Sequence, residues 1–191
     1  ATGHWEVGKT EWGAPIEQTS SEKAKSIMER YEKAIKADSV RCIGNYVFVW
    51  QQKQERTPTW YGLFCETNEE TEPIDVMHYI WNGKWPENRC PQVSKPLLNG
   101  KSVYDNIYLK PGEQMTGSIE VNEFDKGDKL TYKWEVMPES TDLKSGGDRE
   151  ERPETLLNTT NESNTITIPA PHHEGAYRLF IYVFDGHNHA G

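Results

Sequence analysis

The chain has no apolar run long enough to cross a membrane. Its longest, Tyr46 to Trp50, falls far short of the roughly 20 residues that a spanning helix needs. The first residues, Ala1 to Lys9, lack both the basic start and the apolar stretch of a secretory signal. Cysteine is scarce. Cys42, Cys65 and Cys90 cannot all pair within one chain, and none sits in a C-x-x-C spacing, so neither a zinc knuckle nor a disulfide framework is supported. Excess positive charge is also missing: 21 Lys and Arg stand against 30 Asp and Glu, a net charge of -9. Phosphate binding needs clustered Lys and Arg, so this balance argues against a nucleic-acid partner. No segment repeats at a fixed period. An initiator Met is lacking, and a strand-like run breaks off at His189-Ala190-Gly191, which reads as a piece of a longer protein.

What is present divides the chain in two. It has 191 residues, 35% of them hydrophobic, enough for one medium or two small domains. Six of the seven tryptophans (5, 12, 50, 60, 81, 85) precede residue 86 and only Trp134 follows. The join reads as Trp85 to Pro91, where two prolines fix φ and bar helix or central strand. The expected division is therefore residues 1–90 and 91–191.

In the first half, Thr19-x-x-Glu22 is a capping-box spacing ahead of apolar Ala24, Ile27, Met28, Tyr31, Ala34 and Ile35, which predicts a helix over about 21–37. The run Ile43 to Trp50 is apolar without alternation, as a strand buried on both faces of a parallel sheet would be. Thr71-Glu72-Pro73 then supplies a cap with an early proline, and Gly83 a stop, around a second helix. With 1–7 as an earlier strand, the order is that of two consecutive β/α units, whose chemistry would sit after the strands, beyond Val7 and beyond Trp50. The second half steps with period two at Ser118–Val121, Leu130–Val136, Thr165–Ile168 and Tyr177–Phe184. It predicts an immunoglobulin-like antiparallel β-sandwich of six or seven strands, with Trp134, Leu130, Phe180 and Tyr182 in its core.

Two clusters could carry chemistry. Residues 51–61, with Gln52, Gln54, Glu55, Arg56 and Trp60 among them, place aromatic platforms beside amides, a carboxylate and a guanidinium. That mixture suits a sugar site, where flat rings take C–H faces and planar amides take hydroxyls. In the alternative, Trp60 and Tyr61 pack onto Phe64 and the helices while the charges stay in water. His4-Trp5-Glu6, followed by the Gly-rich, Trp-containing loop from Gly8 to Ile16, is either a second part of such a site or an exposed terminal segment. A lone Glu is no hydrolytic mechanism, because glycoside hydrolysis needs two carboxylates flanking the bond. No metal site is expected: Asp125, Asp128 and Asp185 are too few for the six to eight oxygens Ca²⁺ wants, and His172, His173, His187 and His189 show no ligand spacing.

The motifs GHWEV, WGAPIE-x-TSSEKA, GNYVFVW, QKQERTPTWYGLF and VMHYIWNGKWPENR together resemble the last two β/α units of a clan A, family 2-like glycoside hydrolase barrel. The resemblance implies a fold of α/β plus all-β class: the end of a (β/α)8 barrel, then the sandwich. It implies that Glu6 is the nucleophile, that Trp50 floors the sugar subsite, and that His4, Trp5, Gln52, Gln54, Glu55, Arg56 and Trp60 bind substrate, without a cofactor. The acid/base Glu and the remaining barrel, from the parent chain, would lie outside this sequence, about 5 Å separating the two carboxylates of a retaining enzyme. Phe124 to Trp134 and Tyr182 to Gly186 resemble cadherin-like or PKD-like modules of secreted bacterial enzymes. The implied parent is an extracellular, periplasmic or cell-surface hydrolase of a polysaccharide or oligosaccharide. The alternative is a carbohydrate-binding or adhesion module without catalysis.

Overall fold

The computed structural model describes residues 2–144 and 147–191. The chain opens with turns and a small loop, then α1 (Ser20–Arg30), which continues through a π turn at Tyr31–Ile35 and a 3-10 turn at Lys36–Asp38. Both halves of the Thr19/Glu22 capping box are made, so the orphan amides at this helix start are satisfied as the spacing predicts. A tight ribbon, β1 (Lys53–Glu55) and β2 (Thr57–Tyr61), leads to a short β3 (Glu70–Thr71) and α2 (Glu72–Asn82). Helix α2 stops at Gly83, whose φ of 71° is the left-handed cap that glycine tolerates. Thr71 sits at the N-cap of α2 but does not cap it with its side chain; its hydroxyl donates to the Leu63 carbonyl at 2.7 Å. Then follow β4 (Gln92–Leu98), β5 (Lys101–Ser102), β6 (Gln114–Asn122), β7 (Thr131–Pro138), β8 (Leu157–Asn161), β9 (Thr165–Pro169), β10 (Tyr177–Phe184) and β11 (His189–Ala190).

The strands form two facing sheets, in the orders β3-β11-β10-β7-β8 and β5-β4-β6-β9, beside the isolated β1-β2 ribbon. Val93 and Ile119 from one sheet meet Tyr132, Trp134 and Val183 from the other in the main core. Gly117 on β6 lies under Trp134, where a Cβ would come 2.8 Å from both the indole and Leu179. Glycine is what lets the largest core side chain approach the facing strand.

The expected fold class is overturned. The architecture is two sheets with two short α-helices, not two β/α barrel units followed by a sandwich. Residues 2–7 form turns, and Ile43 to Trp50 enters no sheet. The physical reason is pairing: a strand apolar on both faces is stable only between neighbouring strands and covering layers. Among the described residues no strand pairs with this run, and Ile43 and Tyr46 are fully exposed.

The expected core is corrected in one parity. Opposite Trp134 on β10 stands Ile181, so Leu179, Ile181 and Val183 point inward. Phe180 and Tyr182 alternate to the other face of β10, where they stack parallel at 6.4 Å. That face is covered too, by Glu17, Lys23, Thr59, Phe64 and Cys65 across a cavity of about 330 Å³. The N-terminal half is also bonded into the sheet, because β3 pairs in parallel with β11, and the Ser21 hydroxyl accepts from the Val93 amide at 2.9 Å.

Candidate functional site

A cleft of about 370 Å³ opens where the N-terminal turns meet the β1-β2 ribbon and the end of β7, lined by His4, Trp5, Lys9, Trp12, Arg56 and Glu139 among others. Trp5 and Trp12 are 68% and 39% exposed. Aromatic rings of this size are normally buried, so their display at a concave surface needs local causes.

For Trp5 the cause is Gly3. The Gly3 amide donates to Glu6 Oε2 at 3.1 Å, and the Glu6 amide donates to the Gly3 carbonyl at 2.9 Å, closing a tight turn. The Trp5 ring folds over Gly3 so closely that a Cβ there would fall 2.5 Å from it. For Trp12 the cause is a hairpin-like loop. Lys9 and Pro15 bridge, the Ile16 amide donates to the Gly8 carbonyl at 2.9 Å, and Gly13 turns the tip at φ 81°. The indole rests edge-on against Tyr108 at 6.0 Å, while the Tyr108 hydroxyl donates to Glu11 at 2.7 Å. Arg178 ties the base of this loop to β10 by donating to the Pro15 carbonyl at 2.7 Å.

His4 and Arg56 form the polar wall. His4 Nε2 lies 3.3 Å from Glu55 Oε1, and the second Glu55 oxygen takes the Lys53 ammonium. Beneath His4 lies Trp60, ring centroids 6.0 Å apart; its indole N–H donates to the Thr2 carbonyl at 3.0 Å. Tyr61 adjoins this group. Its phenol is pushed above its ordinary value, first by burial and then by the carboxylates of Glu55 and Glu6. Arg56 forms the single-residue turn between Glu55 and Thr57, with φ 62°, a left-handed conformation uncommon for a long side chain. Buried Glu150 holds it there. Glu150 Oε2 accepts the Arg56 amide at 2.6 Å, and Oε1 accepts the Lys144 amide at 3.0 Å.

The ribbon is fixed from behind by a buried ion pair. Glu17 accepts Lys23 Nζ and the Thr57 hydroxyl, each at 2.6 Å, and Lys23 also donates to the Thr59 carbonyl at 2.6 Å. Burial pushes the Glu17 carboxyl up, but Lys23 and Thr57, with Arg178 behind them, outweigh it and hold the group below its ordinary value.

The residues singled out in the sequence therefore separate. His4, Trp5 and Arg56 line the cleft, with half-buried Glu55 and buried Trp60 as supports of His4. The carboxylate of Glu6 serves the Gly3 turn and lies outside the lining. Gln52 donates to the Pro58 carbonyl at 2.8 Å and braces the ribbon, and the Gln54 amide is buried without a partner. Trp50, expected to share a concavity with Trp60, packs edge-on against Phe64 at 5.4 Å, while Trp60 is 2% exposed. Neither ring lines the cleft. Trp12, Lys9 and Glu139 were not singled out as site residues; Trp12 lay in the Gly-rich loop, the one signal that could have found it.

Elsewhere, Glu123, Asp125 and Asp128 gather carboxylate oxygens within 4.8 Å of one another. Burial first, and then the two neighbouring aspartates, raise Glu123 against the amide hydrogen bonds it accepts. Asp125 accepts the Arg89 amide at 2.7 Å and Asp128 accepts Asn88 at 3.3 Å, so much of this cluster is spent on protein donors. Asp185 is spent likewise, on the His187 amide at 2.7 Å and the His189 ring at 2.9 Å.

Comparison with protein-family models and with curated proteins finds no match to this chain.

Proposed function

We propose that the protein binds carbohydrate through the Trp5–Trp12 cleft, as a non-catalytic module of a polysaccharide-acting or cell-surface protein. The observation that carries this reading is the display of two indole rings in one cleft beside an imidazole and a guanidinium. Sugars present C–H faces to such rings and hydroxyls to such polar groups. The volume, about 370 Å³, is at the small end of ligand sites, on the order of 300 to 1,000 Å³, and suits one or two sugar rings. The resemblance of GHWEV and QKQERTPTWYGLF to glycoside hydrolase segments supports the same ligand class. Catalysis is left out of the reading because Glu6 lies outside the cleft lining and its carboxylate closes a turn.

Affinity electrophoresis in gels containing soluble glucans, mannans, xylans, galactans or uronans tests it. At least one polymer retards the native protein, and Trp5→Ala restores its free mobility. Retardation that Trp5→Ala and Trp12→Ala both leave unchanged contradicts the assignment of the cleft.

A further inference from the structure

Arg56 has unused hydrogen-bonding capacity. Its guanidinium lines the cleft, and its buried Nη1 makes no hydrogen bond among the described residues but is ion-paired with Glu150 Oε1 at 3.7 Å. The other charged groups of the cleft wall are engaged: His4 with Glu55 at 3.3 Å, and Glu139 with Arg178 at 2.8 Å. Lys9 adds a second cation at the exposed rim. A guanidinium held by charge alone keeps N–H donors for a further acceptor. The protein as a whole carries a net charge of -9, so a cationic cleft here is local and stands against the general field of the surface.

We infer that the ligand of the cleft is an acidic sugar, a uronate, whose ring lies on Trp5 and whose carboxylate is held by Arg56 and Lys9. The inference rests on the carbohydrate-binding reading above and adds the charge of the ligand to it. A carboxylate suits the site because a guanidinium donates to it in a planar, charge-assisted fork. Glu150 is the positioning residue: it fixes the backbone of Arg56 in the left-handed turn and pairs with its guanidinium at the cleft wall.

The test compares polygalacturonate, alginate and glucuronoxylan with their carboxyl-reduced, neutral counterparts by affinity electrophoresis at two salt concentrations. The expected result is retention by at least one uronan, about tenfold weaker for its reduced form, for Arg56→Gln and for Trp5→Ala, and several-fold weaker for Lys9→Ala. Lys9 is exposed, so its variant reads the charge effect without risk to folding. Equal affinity for a uronan and its reduced form overturns the inference and leaves the carbohydrate reading standing. Retention by uronans that survives Trp5→Ala overturns it as well, because the attraction then lies elsewhere on the surface. No retention by any polymer, acidic or neutral, overturns both.

Discussion

Lys23→Met should destabilise the protein far more than a surface lysine change would. The Lys23 and Glu17 side chains are each 11% exposed and their charged atoms lie 2.6 Å apart. Removing the cation strands a desolvated carboxylate with only the Thr57 hydroxyl in contact. Breaking a buried pair from one side costs about 3 to 5 kcal/mol, which in a chain of this length lowers Tm by roughly 6 to 20 °C. The pH dependence follows from Glu17. In the native protein its pKa is lowered from 4.5, so its stabilisation is present above that value and is lost as pH falls below it. In Lys23→Met only Thr57 and Arg178 still oppose desolvation, so the carboxyl rises relative to the native protein; the variant loses most at pH 7 and recovers relative to the native protein as pH falls and Glu17 takes up a proton. Glu17→Gln/Lys23→Met buries no charge and should regain much of the loss. Urea unfolding followed by circular dichroism at pH 7 and pH 5 measures all three proteins. A single-variant loss under about 1 kcal/mol, or a double variant less stable than Lys23→Met, would refute the reasoning.

Gly117→Ala, which puts a methyl 2.8 Å from Trp134 and Leu179, should cost about 1 to 3 kcal/mol by overpacking, read as a lower urea midpoint. Gly3→Ala should displace the Trp5 ring, which a Cβ would meet at 2.5 Å, and weaken carbohydrate retention about tenfold while the unfolding midpoint moves little. Burial pushes the Cys65 thiol up to about 12 and that of Cys90 higher still, whereas Cys42 is partly exposed. A disulfide reagent at pH 8 should therefore titrate one thiol in the native protein and the other two only after unfolding.

Much of the fold was legible where local chemistry decides it. The Thr19/Glu22 box and the Gly83 stop placed both helices, because caps act over a single turn. Alternation found β6, β7, β9 and β10. It missed β4, where Pro96 and a register shift between Ser94 and Leu97 break the period, and β8, whose Leu-Asn-Thr-Thr-Asn reads as loop. Tyr177–Phe184 and Ile43 to Trp50 look alike in composition, both rich in β-branched and aromatic residues. One is sandwiched between the facing sheet and the N-terminal half; the other pairs with no strand among the described residues. Periodicity reports how many faces a strand could bury, and says nothing of whether partners exist, which is why the β/α expectation failed. In the site, the cluster 51–61 was visible by composition, but its division into cleft wall and buried brace depends on Glu150, nearly a hundred residues away in sequence.

The seven tryptophans make the central claim directly measurable. In a ¹⁵N–¹H spectrum each indole N–H gives its own signal, assigned by single Trp→Phe replacements, and the glycan panel is added to the native protein. The account predicts that the ligand shifts Trp5 and Trp12, leaves buried Trp134 unmoved, and leaves Trp50 unmoved where it rests on Phe64. Shifts confined to Trp81 and Trp85, on and beyond α2, or no shift with any glycan, would contradict it.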